Sequence, residues 1–208
     1  MKLYDFSYSS SAYRVRIALA LKGLSYESES IHLRRGEQHQ PAFLAINPQA
    51  MVPALAGDHG LITQSLAIIE YLDDVYPEPP FLPRDPGDRA RARALAVGIV
   101  SEIQPLQNLR VLNYIGDNYQ QNADGERAWS QHWIETGLAA FQTSLGPSKG
   151  RYCLGDEVTL PDIVLAPQMV NARRFRCNLG PLGRLVEIDN ALRELPAFRD
   201  TAPPPQSS

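Results

Sequence analysis

Hydrophobic and polar positions follow two different patterns along the chain, and the change comes at a proline-rich stretch. Before it, short apolar stretches with β-type composition predict strands at residues 2–6, 26–31, 53–56 and 60–63, separated by two segments with helical spacing. After it, the long segments 88–119 and 124–145 carry apolar residues at helical spacing with few strand signals. The pattern therefore predicts an α/β unit followed by an all-helical unit.

The proline-rich stretch is the predicted boundary between these units. Residues 77–88, PEPPFLPRDPGD, hold five prolines in twelve positions. Proline in a helix interior or a central strand removes a backbone hydrogen bond, so this composition is typical of a semi-rigid linker. We predict a first domain over residues 1–80, a linker over 81–88 and an all-helical domain over 89–208.

Composition and charge exclude several classes of function. The 208 residues are 44% hydrophobic, and the net charge of −3 comes from interspersed acidic and basic residues. No broad basic surface for nucleic acid or anionic membrane is expected. No apolar run approaches the ~18 residues of a membrane span, and the polar start is unlike a signal peptide, so we expect a cytoplasmic protein. Cys153 and Cys177 lack the spacing of a disulfide framework or a zinc site.

The first stretch with candidate chemistry is YSSSAYRVRIALALKG, residues 8–23. We predict a helix from about Ser11 to Lys22, stopped by Gly23, which places three serines in a β-to-α turn. Free N–H groups and the macrodipole favour an anion at a helix start, and a serine hydroxyl adds an uncharged donor. A thiolate or a phosphate fits there. One serine suffices as a helix cap, and that simpler interpretation stays open.

A second pair of motifs surrounds the third strand. In NPQAMVPAL, residues 47–55, Pro53 removes a ladder bond, so Val52 is expected to offer its backbone to something other than a strand; the local sequence does not decide whether the bond is cis. In ITQSLAIIEYLDDVYP, residues 62–77, Gln64 and Ser65 precede apolar helical spacing. A carboxylate can bind at that helix start, and an ordinary Ser cap is the alternative.

Further features are assigned to structure. Arg14 and Arg16 lie about 200° apart on a helix, so they cannot share one partner, and we expect them to hold domain or subunit contacts rather than substrate. TLPD, residues 159–162, has the spacing of a capping box with Asp162 as its acidic residue.

Together, SSSAYRVRIALALKG, NPQAMVPAL, QSLAIIEYLDDVYP, IQPLQNLRVL and GDEVTLPDIVLAPQ resemble the zeta-class glutathione transferases, the group containing maleylacetoacetate and maleylpyruvate isomerases. The motifs occur in the family's order over nearly the whole chain. The resemblance implies a thioredoxin-like α/β domain followed by an all-α domain, an α+β fold overall. It also implies glutathione as cofactor and a homodimer.

The resemblance also implies roles for individual residues. The γ-glutamyl carboxylate of glutathione is expected at Gln64 and Ser65, its cysteinyl backbone at Val52 beside Pro53, and its thiol at Ser9, Ser10 and Ser11. Gln38 matches a position that reaches the glycyl end, with His39 an equally good donor. Gln104 and Asn108 match polar positions near glutathione.

The implied reaction is thiolate addition to a cis double bond of a small enone acid, rotation and elimination. Arg110 and Arg174 match arginines that would bind the substrate's carboxylates. Two positions depart from the family: Tyr8 stands where an arginine is common, and Ser11 where a cysteine is common. Tyr8 is expected either to donate to an enolate oxygen or to pack.

Three other functions stay open at this point. One is an isomerase of a less acidic biosynthetic enone. Another is a conjugating or dehalogenating transferase, and the last is a noncatalytic glutathione-fold binding protein.

Overall fold

The computed structural model describes residues 1–147 and 150–205. The first part of the chain forms a four-stranded mixed sheet. The strands are β1 (Lys2–Asp5), β2 (Glu27–Ser30), β3 (Ala54–Gly57) and β4 (Gly60–Thr63). Their order is β2-β1-β3-β4, with β2 parallel to β1 and the pairs β1–β3 and β3–β4 antiparallel. All four strands form where the hydrophobic pattern predicts them.

The helices of the first unit are α1 (Ser10–Leu21), α2 (Pro41–Leu44) and α3 (Ser65–Val75), with 3-10 turns at Leu33–Arg35 and Glu37–His39. Gly23 follows α1 with φ +65°, a conformation that glycine adopts without a Cβ penalty. Every residue of α1 from Ala12 to Leu19 is buried. The helix is thus surrounded by protein, and its two arginines lie inside the unit.

The helical unit contains α4 (Pro86–Val97), α5 (Leu109–Tyr119), α6 (Ala123–Leu145), α7 (Leu160–Arg174) and α8 (Gly183–Arg193). The segment 88–119 is helical, as its apolar spacing predicts, and it consists of several helical elements rather than one α-helix. After α4 the chain forms a π-helical segment, Gly98–Ile103, and a 3-10 turn, Gln104–Gln107, before Asn108 caps α5. Pro105 has no N–H to donate, which is the physical reason for an interruption at this point.

The start of α4 lies inside the stretch predicted as linker. The two compact units meet in sequence between Phe81 and Leu82. Asp85 caps α4 by accepting hydrogen bonds from the N–H groups of Gly87 and Asp88 at 2.8 and 2.9 Å. Pro86 occupies the first helical position, where its missing N–H has no intrahelical partner to lose. The prolines therefore end one unit and also begin the first helix of the next.

The end of the chain belongs to the first unit, whereas the sequence prediction places all of residues 89–208 in the helical domain. Residues 195–205, including α9 (Pro196–Arg199), group with residues 1–81. Tyr13 donates its hydroxyl to the carbonyl of Phe198 at 2.6 Å. Residues 206–208, the last of that predicted domain, lie outside the described part of the chain.

Arg16 connects three parts of the first unit. Its Nη1 lies 2.7 and 2.8 Å from the two carboxylate oxygens of Asp5, at the end of β1. Its Nη2 donates to the carbonyl of Ser7 and its Nε to the carbonyl of Thr201, both at 3.0 Å. These partners are all within one unit, so in the described structure Arg16 stabilises the first domain internally.

Arg16→Met is expected to destabilise the first unit by about 3–5 kcal/mol, because Asp5 would stay buried without its counter-charge. Urea unfolding followed by circular dichroism measures this loss. Arg199→Met removes an exposed arginine that pairs with its neighbour Asp200 and serves as the control, with an expected change below about 1 kcal/mol. Equal urea midpoints for the two variants would contradict the assignment.

The capping box at α7 is confirmed. Asp162 Oδ2 accepts from both the N–H and the hydroxyl of Thr159 at 2.9 Å, and its Oδ1 accepts from the N–H of Cys153 at 2.9 Å. Burial raises the pKa of the Asp162 carboxyl, opposed by these hydrogen bonds. The carboxylate oxygens of Asp162 therefore bind backbone and hydroxyl donors at the start of α7.

Within the described residues, no helix is both long and apolar enough to cross a membrane.

Candidate functional site

The start of α1 presents hydroxyl and N–H groups at the positive end of the helix. Ser9 is the N-cap: its Oγ accepts from the N–H of Ala12 at 3.2 Å. Ser10 and Ser11 are the first two helical residues, and in the described structure no acceptor is bonded to their N–H groups. The first turn carries no acidic side chain. Three half-buried serines and two free N–H groups therefore favour a negatively charged ligand atom.

Tyr8, directly before these serines, packs on an apolar cluster. Its ring lies 5.8 Å from the ring of Phe6, which also contacts His32 at 5.0 Å. The buried members of the cluster are Phe6, Ile31, Phe43 and Val52. The packing role of Tyr8 is thus established, and its role toward substrate stays a prediction.

The segment before β3 contains unpaired backbone groups suited to an extended ligand. The Val52–Pro53 bond is cis, and among the described residues the N–H and C=O of Val52 have no hydrogen-bond partner. Asn47 fixes the preceding loop by donating to the carbonyl of Met51 at 2.7 Å and accepting from the N–H of Gln49 at 3.1 Å. A peptide-like ligand can therefore pair with Val52 as a strand would.

The start of α3 forms the second anion-favouring end. Gln64, not Ser65, occupies the N-cap position, with φ +71° and ψ 117°, and Ser65 is the first helical residue. A positive φ in a residue other than glycine costs of order 1–3 kcal/mol and is typical of ligand-binding segments. The Gln64 amide donates to Oε1 of Gln49 at 2.8 Å. Sequence reasoning missed Gln49, which positions the Gln64 side chain.

Gln38 and Arg14 are buried polar residues with unused hydrogen-bonding atoms. Gln38 lies in the second 3-10 turn, where its Oε1 has no partner in the described structure, while His39 beside it is exposed. Arg14 Nη1 donates to Ser65 Oγ at 3.2 Å, which links α1 to the start of α3. The sequence interpretation left Arg14 out of the site. The signal that could have found it is a cation inside an otherwise apolar buried helix.

The predicted residues of the helical unit lie on three elements. Asn108 caps α5, its Oδ1 accepting from the N–H of Arg110 at 3.2 Å, and Gln104 lies in the 3-10 turn before it. Arg110 is exposed in the first turn of α5. Arg174 ends α7 with its guanidinium 5.5 Å from the ring of Phe175. Asn108 has a structural role as the N-cap of α5. The ligand roles of the four residues remain predictions: Gln104, Asn108, Arg110 and Arg174.

The protein's own thiols are unsuited to act as the nucleophile. Burial raises the pKa of Cys153 well above its usual range and that of Cys177 to about 11. Both are protonated at neutral pH. In residues 1–147 and 150–205, no group of His, Cys, Asp and Glu side chains is arranged to hold a metal ion.

Comparison with known proteins shows the family to which this chain belongs. The family model "Glutathione S-transferase, N-terminal domain" matches residues 1–74. The maleylacetoacetate isomerase of Pseudomonas aeruginosa is 45% identical over 206 residues, covering 98% of this chain and 96% of the relative. A maleylpyruvate isomerase structure, described as a bacterial zeta-class glutathione transferase, superimposes with a TM-score of 0.95 at 42% identity over 100% of both chains. The chain belongs to the zeta-class glutathione transferases.

A further zeta-class relative has been solved with ligands. The maleylacetoacetate isomerase of Methylobacterium extorquens AM1, with bound malonate and glutathione, shows a TM-score of 0.94 at 37% identity and covers 98% of this transferase and 96% of that chain. The predicted fold, a thioredoxin-like domain followed by a helical domain, is confirmed. The family resemblance stated from the motifs is confirmed as well.

Proposed function

We propose that this zeta-class transferase is a glutathione-dependent cis–trans isomerase of a small conjugated enone acid, of the maleylacetoacetate or maleylpyruvate type. Glutathione is the cofactor. The observation that carries the proposal is the start of α1, which holds three half-buried serines and two unbonded N–H groups and has no acidic side chain in its first turn. Such an arrangement stabilises a thiolate without supplying a competing nucleophile, since both cysteines of the chain hold their protons.

The polar groups of the first unit fit the parts of glutathione. Gln64 and Ser65 offer donors for the γ-glutamyl carboxylate at the start of α3. The unpaired backbone of Val52 fits the cysteinyl residue, and the buried Gln38 fits the glycyl end. Gln104 and Asn108 are assigned to the same ligand from the helical unit. In this proposal the sulfur lies at Ser9, Ser10 and Ser11.

The serine cluster must keep the sulfur ionised. A free thiol with pKa near 8.5 is only about 3% ionised at pH 7, and lowering its pKa by ~2 requires about 2.7 kcal/mol of preferential thiolate stabilisation. The macrodipole of α1 contributes about 0.3–1 kcal/mol, and each hydroxyl or N–H donor to a charged acceptor contributes about 1.5–3 kcal/mol. The donors present are therefore sufficient.

When bound, glutathione supplies a thiolate that adds to the substrate's double bond, leaves a single bond free to rotate, and is then eliminated. The chain's own residues supply position and charge. Arg110 and Arg174 bind the carboxylates of the substrate, a task for which the planar guanidinium is suited. Tyr8, held against Phe6, donates its hydroxyl to the enolate oxygen that develops during addition.

We extend the proposal to assembly and location. The enzyme is a homodimer, as the family resemblance implies, and it acts in the cytoplasm. Light scattering coupled to size exclusion tests the first statement: a mass near 46 kDa, twice the 23.1 kDa of one chain, is expected, and a mass of one chain would contradict it.

The test of the function is turnover of cis enones. Purified protein is mixed with glutathione and either maleylacetone or maleylpyruvate, and loss of the cis-enone absorbance is followed. We expect turnover that requires both protein and glutathione. A rate no higher than that of glutathione alone would remove the isomerase proposal. Release of halide from an α-halo acid under the same conditions would instead indicate a dehalogenating transferase.

A further inference from the structure

Arg14 is buried in the first unit without a counter-charge. Its side chain is 1% exposed, and Nη1 donates to Ser65 Oγ at 3.2 Å. Its Nε and Nη2 are buried with no hydrogen-bond partner, and in the described part of the chain no carboxylate forms an ion pair with it. The guanidinium therefore uses one of its nitrogens and leaves two unsatisfied.

The neighbouring arginine shows that this is not a general property of the helix. Arg16, two residues further on, is also buried, and Asp5 neutralises it at 2.7 Å. Burying a cation without an anion is strongly unfavourable, and it lowers the pKa of Arg14 to about 10. Arg14 is still protonated at neutral pH. The fold thus holds an uncompensated positive charge, the Arg14 guanidinium, in hydrogen-bond contact with Ser65, the first residue of α3.

The contact with Ser65 determines what its hydroxyl can do. A hydroxyl has one donor and two acceptor sites, so accepting from Arg14 leaves the Ser65 O–H free to donate in another direction. Hydrogen bonds in a chain polarise each other, and a hydroxyl that accepts from a cation becomes a stronger donor. Ser65 is 4% exposed and lies at the N-terminus of an 11-residue helix, whose dipole also favours an anion.

We infer that Arg14 is a positioning residue and counter-charge for the ligand carboxylate bound at the start of α3: it acts through Ser65, orienting and polarising the hydroxyl that receives the carboxylate. The inference rests on the proposed function, because the γ-glutamyl carboxylate of glutathione is the anion concerned. Arg14 supplies the charge, and Ser65 makes the contact. The cation is left without an internal partner because its partner is the ligand.

The test compares two ligands on the full-length protein by calorimetry. Glutathione is compared with 4-aminobutyryl-cysteinylglycine, which lacks only the γ-glutamyl carboxylate. We expect the wild type to bind glutathione about 30-fold more tightly than the truncated peptide, as for a charged hydrogen bond. In Arg14→Met this preference is expected to fall to about threefold. Arg34→Met, an exposed arginine of the same unit, should keep the full preference.

A double-variant comparison tests whether the effect passes through Ser65. Ser65→Ala should lose most of the preference, and Arg14→Met combined with Ser65→Ala should be no more than about threefold worse than Ser65→Ala. Additive losses would show that the two residues act separately and would overturn the inference. At saturating glutathione, kcat of Arg14→Met should stay within about threefold of wild type, so that the loss is in KM for glutathione.

The unliganded variant separates this role from a structural one. Replacing an uncompensated buried cation with a hydrophobic side chain is often neutral or stabilising, so the urea midpoint of ligand-free Arg14→Met should equal or exceed that of wild type. A lower midpoint together with an unchanged ligand preference would show a structural role and would overturn the inference. If Arg14→Met does not fold, Arg14→Lys decides: it keeps the charge and should keep at least a tenfold preference.

Failure of the inference and failure of the proposed function give different results. If the wild type binds neither peptide, the glutathione-dependent function is wrong. If the wild type binds glutathione and isomerises the enone while Arg14→Met keeps the 30-fold preference, the function stands and the role of Arg14 is wrong.

Discussion

The variant in which Ser9, Ser10 and Ser11 are all alanine is expected to bind glutathione with an affinity close to that of wild type but to lose about 100–1000-fold in kcat/KM for enone isomerisation. The variant lacks the hydroxyls that stabilise the thiolate of glutathione, whereas the groups that bind the peptide at Val52, Gln64 and Ser65 remain. Spectroscopically, the ultraviolet absorbance of bound thiolate at pH 7 should disappear, because the pKa of the bound thiol returns toward that of free glutathione.

Single variants resolve which serine acts on the sulfur. Ser9 caps α1 through the 3.2 Å bond from Ala12, so Ser9→Ala should also lower the free energy of unfolding by about 1 kcal/mol. Ser10 and Ser11 make no such bond, and their variants should change activity with stability unaffected. The serine whose variant raises the thiol pKa most is the one in contact with sulfur.

Ser28→Ala, on the exposed surface of β2, is the matched control and should leave the thiolate absorbance unchanged. A triple alanine variant that retains both the absorbance and the wild-type rate would contradict the role assigned to the three serine hydroxyls. In that case the macrodipole and the N–H groups of Ser10 and Ser11 alone would account for ionisation.

Arg110→Met and Arg174→Met are each expected to lower kcat/KM for a dicarboxylic cis enone by about 30-fold, while the Kd for glutathione changes less than about twofold. The physical reason is the loss of a bidentate, charge-assisted hydrogen bond from the guanidinium to a substrate carboxylate. The loss should be smaller for a substrate ester in which that carboxylate is blocked. Steady-state kinetics with the acid and its methyl ester measures both quantities.

A lysine variant and a control arginine complete this design. Arg110→Lys keeps the positive charge but loses the planar guanidinium that can form two hydrogen bonds to one carboxylate. Its kcat/KM should therefore lie between those of wild type and Arg110→Met. Arg127→Met removes an arginine of α6 that pairs with Asp124 and should leave kinetics unchanged. If the acid and the ester lose equally in Arg174→Met, the arginine does not contact a carboxylate, and the helical unit must recognise the substrate in another way.

Local signals predicted α1 to within one residue at each end. The serines offer a cap, the following apolar run favours a buried helix, and Gly23 accepts the left-handed conformation at φ +65°. The same kind of signal placed the four strands and the capping box at Thr159. These features depend on neighbours within a few residues, which the sequence displays directly.

The prolines showed where a backbone hydrogen bond is excluded, but they did not show which conformation the chain adopts there. Pro86 was assigned to a linker, yet it begins α4, because a proline is compatible both with a linker and with the first helical position. Pro105 lies in a 3-10 turn inside the segment 88–119, whose apolar spacing predicted helix but not where one helix ends and the next begins. In each case the residue excludes a hydrogen bond, and the surrounding packing selects among the conformations that remain.

For this protein the sequence alone determined the fold class, the zeta-class motifs and the two helix starts where anions are favoured, because periodicity, capping and turn chemistry are local. Only the tertiary structure decided the partners of the two buried arginines and the place of the chain's end. Arg14 and Arg16 share one motif, and yet one meets Ser65 and the other Asp5 and Thr201. Arg16 and Thr201 are 185 residues apart in sequence. A contact over such a separation depends on which surfaces pack together, and no local pattern records that.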